Sequence, residues 1–123
     1  MNEAMRKREA GVLHKKSYDF AIRIVKMVKF LRESKSEFVL SKQILRSGTA
    51  VGALIRESEF AQSGADFTSK LCVALKESNE TDYWLNILKD TAYIDEAAFT
   101  SMETDCHELI ALLVASIKTS KGQ

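Results

Sequence analysis

Residues that could ligate a metal or act as nucleophiles are few in this sequence of 123 residues. It contains two histidines, His14 and His107, and two cysteines, Cys72 and Cys106. Glu103 lies four residues before His107 and can share a helix face with it. A di-metal centre in a helical bundle, however, needs carboxylates from all four helices and two Glu-x-x-His pairs. The cysteines also lack the spacing of a zinc site, so we predict no metal and no cofactor.

Motifs of the common enzyme classes are missing as well. The sequence has no phosphate-binding Walker loop, no glycine fingerprint for a dinucleotide and no nucleophile elbow around a serine. Cys106 lies on an apolar helical stripe and Cys72 lies near the border of another, where a packed thiol is the ordinary interpretation. We therefore predict that the protein is not an enzyme.

One polar group has a spacing that would let it hold two helices together. Arg46 lies on a flank of the second predicted helix, and Glu77, Glu80 and Trp84 share a flank of the third. If these flanks meet, a guanidinium paired with a carboxylate fixes their register, either within a subunit or between subunits. The alternative is a set of separate surface charges. We predict that replacing Arg46 by alanine perturbs assembly or stability.

Two glycines mark the second helix as the centre of the fold. Gly48 and Gly52 each cost about 1 kcal/mol relative to alanine inside a helix, and the close approach of another helix is the expected compensation. Arg46 and Arg56 flank the pair too closely for a membrane-spanning segment. The predicted helix crossing or oligomer interface consists of Arg46, Gly48, Ala50, Gly52, Ala53, Glu57, Glu77, Glu80 and Trp84.

The composition and the apolar periodicity predict an all-α protein. There is no proline, and 46% of the residues are hydrophobic, which favours long helices over a turn-rich sheet. Four helical stripes are separated by short polar connections, which favour an antiparallel four-helix bundle. The predicted helices run from an N-cap at Ser17 to about Ser34, from about Glu37 to Ser63, from a cap at Asp66 to Ala92, and from an N-cap at Asp95 to Lys118. We thus expect a basic N-terminal arm over 1–16, the bundle over 17–119 and a frayed C-terminus over 120–123.

Charge is distributed unevenly along the chain. Residues 1–64 contain 13 Lys/Arg and 7 Asp/Glu, whereas residues 65–123 contain 5 and 10. This asymmetry can serve helix pairing, subunit contacts or a basic surface for nucleic acid. The predicted nucleic-acid contacts are Arg6, Lys7, Arg8, Lys15, Lys16, Lys26 and Lys29. No aromatic residue is obviously interleaved with these cations, so any binding should be directed at the phosphate backbone.

Two sequence blocks resemble a known family. The first reads VLSKQILRSGTAVGA at residues 39–53 and is followed by AQSGADF at 61–67; the second reads KLCVALKESNETDYWL at 70–85. Together they resemble the bacterial four-helix-bundle family of 23S ribosomal RNA intervening-sequence proteins, also called the S23 ribosomal protein family. The resemblance covers nearly the whole chain, from about Ser17 to Lys118.

The resemblance implies an up-down-up-down bundle that assembles as a ring-shaped homopentamer. It also implies a relation to the accessory protein of diversity-generating retroelements, which is strongly basic and works with a reverse transcriptase and RNA. No catalytic residues transfer from this family. The near-neutral charge of the present chain is a departure from that basic relative.

Two functional hypotheses therefore remain open. One is a non-enzymatic oligomeric protein that binds RNA or another nucleic acid through its basic residues. The other is an oligomeric scaffold that binds a protein partner and has no role with nucleic acid. The sequence opens with no apolar run typical of a signal peptide, so we expect a cytoplasmic protein without membrane attachment.

Overall fold

Four helices account for nearly all of the protein in its computed structural model, which describes residues 3–122. They are α1 (Glu3–Lys35), α2 (Leu40–Ser58), α3 (Gly64–Asp90) and α4 (Glu96–Ser120), and this described range contains no strand. The predicted all-α class is confirmed. The side chains of residues 3, 5, 6 and 9 lie outside the described part of the molecule.

The first helix begins at Glu3, so the predicted N-cap at Ser17 is wrong. Ser17 is completely buried, and its hydroxyl donates to the carbonyl oxygen of His14 at 3.1 Å instead of accepting from a backbone N–H. Leu13 is also buried, and with Ser17 and Phe20 it extends the inner stripe of α1 toward the N-terminus. Residues 3–16, which we expected to form a partly ordered arm, are therefore helical.

The connection between α1 and α2 is closed by a buried acid. Glu37 accepts hydrogen bonds from the backbone N–H groups of Ser41 at 2.7 Å and Val39 at 3.3 Å. These bonds satisfy donors that the first turn of a helix leaves without an intrahelical partner. Ser36 reaches the left-handed region, with φ of 51°, and turns the chain back. The helix thus begins at Leu40 and not at Glu37.

The connection between α2 and α3 is longer than predicted, because α2 ends at Ser58 and not at Ser63. Ser63 instead caps α3, and its hydroxyl accepts from the N–H of Asp66 at 3.1 Å. The carboxylate of Asp66 accepts in turn from the N–H of Gln62 at 3.1 Å. This exchange resembles a capping box, and it corrects the prediction that Asp66 is the N-cap.

The last connection follows the prediction more closely. Ala92 has a left-handed φ of 64° after α3 has ended at Asp90. Asp95 accepts from the N–H of Ala98 at 2.8 Å, which confirms it as the N-cap of α4. Asp95 precedes α4 and Glu96 is its first residue, so both carboxylates also complement the positive end of the dipole of this helix.

The hydrophobic core lies where each helix contacts two others. α1 lies beside α2 and α4, α3 lies beside the same two helices, and within the described residues no Cα atoms of a diagonal helix pair come within 8 Å of each other. The core also contains polar side chains, notably Ser47 on α2 and Thr81 on α3, whose hydroxyls are hydrogen-bonded at 2.9 Å. Among the described residues, no buried polar side-chain atom lacks a hydrogen-bond partner.

Candidate functional site

The two glycines of α2 lie where this helix crosses α1. A Cβ atom at Gly48 would lie 2.7 Å from Cγ1 of Ile24, and one at Gly52 would lie 3.2 Å from the carbonyl oxygen of Ser17. Each glycine therefore admits an atom of α1 where any side chain would crowd it. Residue numbers rise along α1 as they fall along α2 in these two contacts.

The other small residues proposed for this crossing lie on the outside of α2. Ala50 is half-buried, whereas Ala53 and Glu57 are exposed. The α2 residues that were predicted to form one crossing therefore divide into two groups. The glycines contact α1, and Ala50, Ala53 and Glu57 lie on the outer side of α2. We name Ala50, Ala53 and Glu57 the α2 flank.

The polar group around Arg46 joins α2 to α3 within one chain. The guanidinium donates from Nη1 to Glu77 at 2.9 Å and from Nη2 to Glu80 at 2.5 Å. Trp84 donates from its indole Nε1 to the same Glu80 oxygen at 3.0 Å. The structure thus brings together all four residues that the sequence suggested could meet.

Electrostatics in this group follow from those bonds. The indole of Trp84 is the largest cause that lowers the pKa of Glu80, and Arg46 lowers it further, while burial acts in the opposite direction. The bond to Glu80 likewise raises the pKa of Arg46. The Arg46 side chain is 51% exposed, so solvent screening limits what the pairs contribute to stability. These hydrogen bonds hold α2 and α3 together, and they occupy the carboxylates of both Glu77 and Glu80.

Several cations assigned to a nucleic-acid surface are paired with carboxylates. Lys16 contacts Glu108 of α4 at 2.5 Å, and this bond raises the pKa of Lys16. Lys15 contacts Asp19 one turn along α1 at 2.8 Å. Arg23, which was not on the predicted surface, donates to Asp105 of α4. The charge asymmetry of the sequence therefore serves helix pairing inside the chain.

The remaining predicted nucleic-acid contacts are distributed along α1. Lys26 and Lys29 are exposed near its middle, and Lys7 and Arg8 are exposed near its start. The side chain of Arg6 lies outside the described residues. The structure therefore engages two of the seven predicted contacts, Lys15 and Lys16, in ion pairs with carboxylates of the same chain.

An apolar strip lies on the side of α1 that points away from the core. Tyr18 is 57% exposed, Ile22 is 40% exposed and Val25 is 39% exposed. Their spacing of four and three residues places them on one helix face, and Lys29 continues it. We name Tyr18, Ile22 and Val25 the outer α1 face. The sequence predictions did not include this face, although the spacing of its members alone would have indicated it.

Three potential metal ligands meet between α3 and α4. Nε2 of His107 lies 3.2 Å from Oδ1 of Asp82 and 3.8 Å from Oε2 of Glu103. All three ligand atoms lie within 4.8 Å of one another. Sequence analysis considered Glu103 and His107 as a pair but had no signal that would place Asp82 beside them.

Two comparisons with known proteins match most of the chain. The family model described as 23S rRNA-intervening sequence protein matches residues 11–115. A crystal structure of a protein with unknown function from the S23 ribosomal protein family of Bacteroides thetaiotaomicron shares 53% sequence identity, with a TM-score of 0.89. The match covers 89% of this chain and 98% of that one. No curated protein matches the chain. None of the helices, over their described residues, has the length and apolar character needed to cross a membrane.

Proposed function

The chain belongs to the 23S rRNA-intervening sequence protein family, and we propose that it works as a non-enzymatic helical bundle that self-associates through the outer α1 face. The observation that carries this proposal is the exposure of Tyr18, Ile22 and Val25 in one row. Soluble monomers rarely expose contiguous apolar patches, and larger patches of this kind are typical of protein–protein contacts. Anchors at positions i, i+4 and i+7 are also how a helix docks into a groove.

The surface that fits the outer α1 face is the α2 flank of a second copy. Ala50 and Ala53 are small enough to let another helix approach closely, and Glu57 offers a carboxylate to Lys29 at the edge of the outer α1 face. Because the two contacting surfaces are different, the contact is heterologous, and such a contact generates a ring when its rotation closes and an open filament when it does not. We propose the closed ring, which is the assembly that the family resemblance implies.

A matched pair of variants tests this surface. Val25 on the outer α1 face is 39% exposed, and Val73 on α3 is 38% exposed. Aspartate at either position adds the same charge to a helix surface of similar accessibility. We expect Val25→Asp to reduce the native mass to that of one chain, and Val73→Asp to leave the wild-type mass unchanged. Native mass is measured by light scattering on folded protein, with far-ultraviolet circular dichroism as the check on folding.

Three outcomes would contradict self-association through this face. A wild-type protein with the mass of one chain would exclude assembly altogether. An assembly that survives Val25→Asp would exclude the outer α1 face as its interface. Dissociation by Val73→Asp, but not by Val25→Asp, would show that the interface lies on α3 and not on the outer α1 face.

A second candidate function is RNA binding. The description of the matching family names 23S rRNA. A specific feature supports RNA binding: an open groove beside the end of α1 combines four cationic side chains with two aromatic rings, those of Phe30 and Tyr93. The cations are Arg23, Lys26, Lys35 and Lys89, and the groove is also lined by the apolar residues Met27, Ala92, Ile94, Ala98 and Met102 and by the acids Asp95 and Glu96. Phosphates pair with cations, and unpaired bases stack on aromatic rings.

The two functions differ in how they respond to salt. Binding to phosphates weakens steeply as salt rises because condensed counterions are released. Native mass and the ratio of absorbance at 260 and 280 nm are recorded on the same peak at low and high salt. Nucleic acid that leaves at high salt, and is absent from a Lys26→Glu/Lys35→Glu variant, would support RNA binding. A clean assembly that binds no added RNA at low salt would exclude it.

A further inference from the structure

We propose that Asp82, Glu103 and His107 form a binding site for a divalent first-row transition metal, with Zn²⁺ the best fit. This site goes beyond self-association and does not depend on it. The proposal reverses our prediction of no metal, which rested on residue spacing along the sequence and paired His107 with Glu103 alone. The structure adds an oxygen ligand from the neighbouring helix.

The distances suit a single ion. Ligands about 2.1 Å from a tetrahedral metal lie roughly 3.4 Å from one another. Here, Nε2 of His107 lies 3.2 Å from the Asp82 carboxylate and 3.8 Å from the Glu103 carboxylate, and no pair of the three ligand atoms exceeds 4.8 Å. The two separations from His107 thus bracket the value expected for ligands that share one tetrahedral ion.

The local charge also favours a cation. The side chains of Asp82 and Glu103 are only 24% and 26% exposed, and neither forms an ion pair with a lysine or arginine within the described residues. Partly buried carboxylates on facing helices repel each other unless a positive charge lies between them. His107 supplies that charge only when it is protonated. A divalent metal would balance both carboxylates and would use His107 as a neutral ligand.

The neighbouring side chains support this assignment. Asn86 on α3 donates from Nδ2 to Oε2 of Glu103 at 3.3 Å, an outer bond of the kind that orients metal-binding carboxylates. Cys106 precedes His107 but is completely buried, and its thiol donates to the carbonyl oxygen of Ser78.

The donor set selects the class of metal. One imidazole nitrogen with two carboxylate oxygens suits zinc, cobalt, manganese or iron in the divalent state. Calcium takes six to eight oxygen ligands, more than these side chains provide. The His107 side chain is 55% exposed, so the fourth position opens to solvent and to a water ligand.

The test measures metal binding by the full-length chain and two histidine variants. Zn²⁺ is titrated calorimetrically, and Co²⁺ is added separately because its visible absorption reports tetrahedral coordination. We expect one ion per wild-type chain. His107→Ala should weaken binding at least tenfold. His14→Ala is the matched control, because His14 is the other histidine and contacts a single carboxylate, Glu59, at 2.8 Å.

Further readouts keep the interpretation unambiguous. Asp82→Asn preserves shape while removing a charge, so it should also weaken binding and lower the Co²⁺ absorption. Affinity should fall with decreasing pH, since the imidazole must lose its proton to bind. Circular dichroism confirms that each variant is folded. No stoichiometric binding by the wild type, equal binding by His107→Ala, or an equal loss in His14→Ala would overturn the proposal.

Discussion

Gly48 of α2 lies directly against Ile24 of α1, so that a Cβ atom added to the glycine would come within 2.9 Å of three side-chain carbons of that isoleucine. Ile24 is completely buried and branched at Cβ, which leaves it few rotamers to adopt. The contact therefore sets how closely the first two helices approach. It also explains why a residue that is unfavourable in a helix occupies the centre of α2.

We predict that Gly48→Ala destabilises the protein. Alanine gains about 1 kcal/mol of helix propensity, but overpacking a core costs typically 1–3 kcal/mol, and the rigid neighbour places this site at the upper end. Gly11→Ala is the matched control, because Gly11 lies within α1 and, apart from its chain neighbours and the backbone of its own helix, no atom of the described residues lies within 4 Å of an added Cβ. It should stabilise by up to about 1 kcal/mol. Urea denaturation of both variants checks the prediction, and a Gly48→Ala protein as stable as Gly11→Ala would contradict it.

Arg46 supplies a second prediction, since it contacts two carboxylates of α3 at once. Arg46→Ala should lower the free energy of unfolding by about 1 kcal/mol, because exposed ion pairs contribute little individually. Arg46→Lys keeps the charge but cannot form the forked contact, so it should fall between alanine and wild type. Thermal unfolding at low and high salt measures both variants. Identical melting temperatures for Arg46→Ala and wild type would show that the ion pairs of Arg46 do not stabilise the fold.

Much of the fold could be predicted from sequence because helical periodicity is a local property. The apolar stripes gave four helices in the correct order, and Asp95 was recognisable as an N-cap because it precedes a new stripe. Serine is less informative, since its hydroxyl both donates and accepts. Ser17 bonds back to a carbonyl inside α1, whereas Ser63 accepts at the start of α3. Sequence alone does not separate these two roles.

Relations between helices were predicted less completely because they depend on rotation about each helix axis. The sequence placed Arg46 and Glu77 on the flanks of two successive helices, and the structure shows their contact. Asp82 and His107 are 25 residues apart on different helices, and their proximity depends on how α3 rotates against α4. Assembly depends on a second chain, so the ring remains a prediction.

Trp84 provides a reporter for the charge of Glu80, because it is the only tryptophan and its indole bonds to that carboxylate. The pKa of Glu80 is lowered from 4.5 by Trp84 and then by Arg46. The stabilisation from these bonds is therefore present above pH 4.5 and is lost as pH falls through the lower folded pKa. Tryptophan fluorescence should change with a midpoint below pH 4.5, and Arg46→Ala should raise that midpoint. An unchanged midpoint would show that Arg46 does not stabilise the charged form, provided that circular dichroism reports folded protein throughout.

The raised pKa of the Cys106 thiol predicts that the protein loses stability in alkaline solution. The pKa of this thiol is raised from 9.0 to about 12, mainly by burial and then by Asp82 and Glu103. Above pH 9 the unfolded chain loses this proton while the folded chain keeps it, so folding becomes less favourable by up to about 1.4 kcal/mol per pH unit. Cys106→Ala should therefore show a shallower decline between pH 9 and 10.5 in urea denaturation, whatever its stability at neutral pH. Cys72→Ala, which retains the buried thiol of Cys106, should keep the wild-type slope. Parallel slopes in all three proteins would mean that the Cys106 thiol ionises equally in the folded and unfolded states.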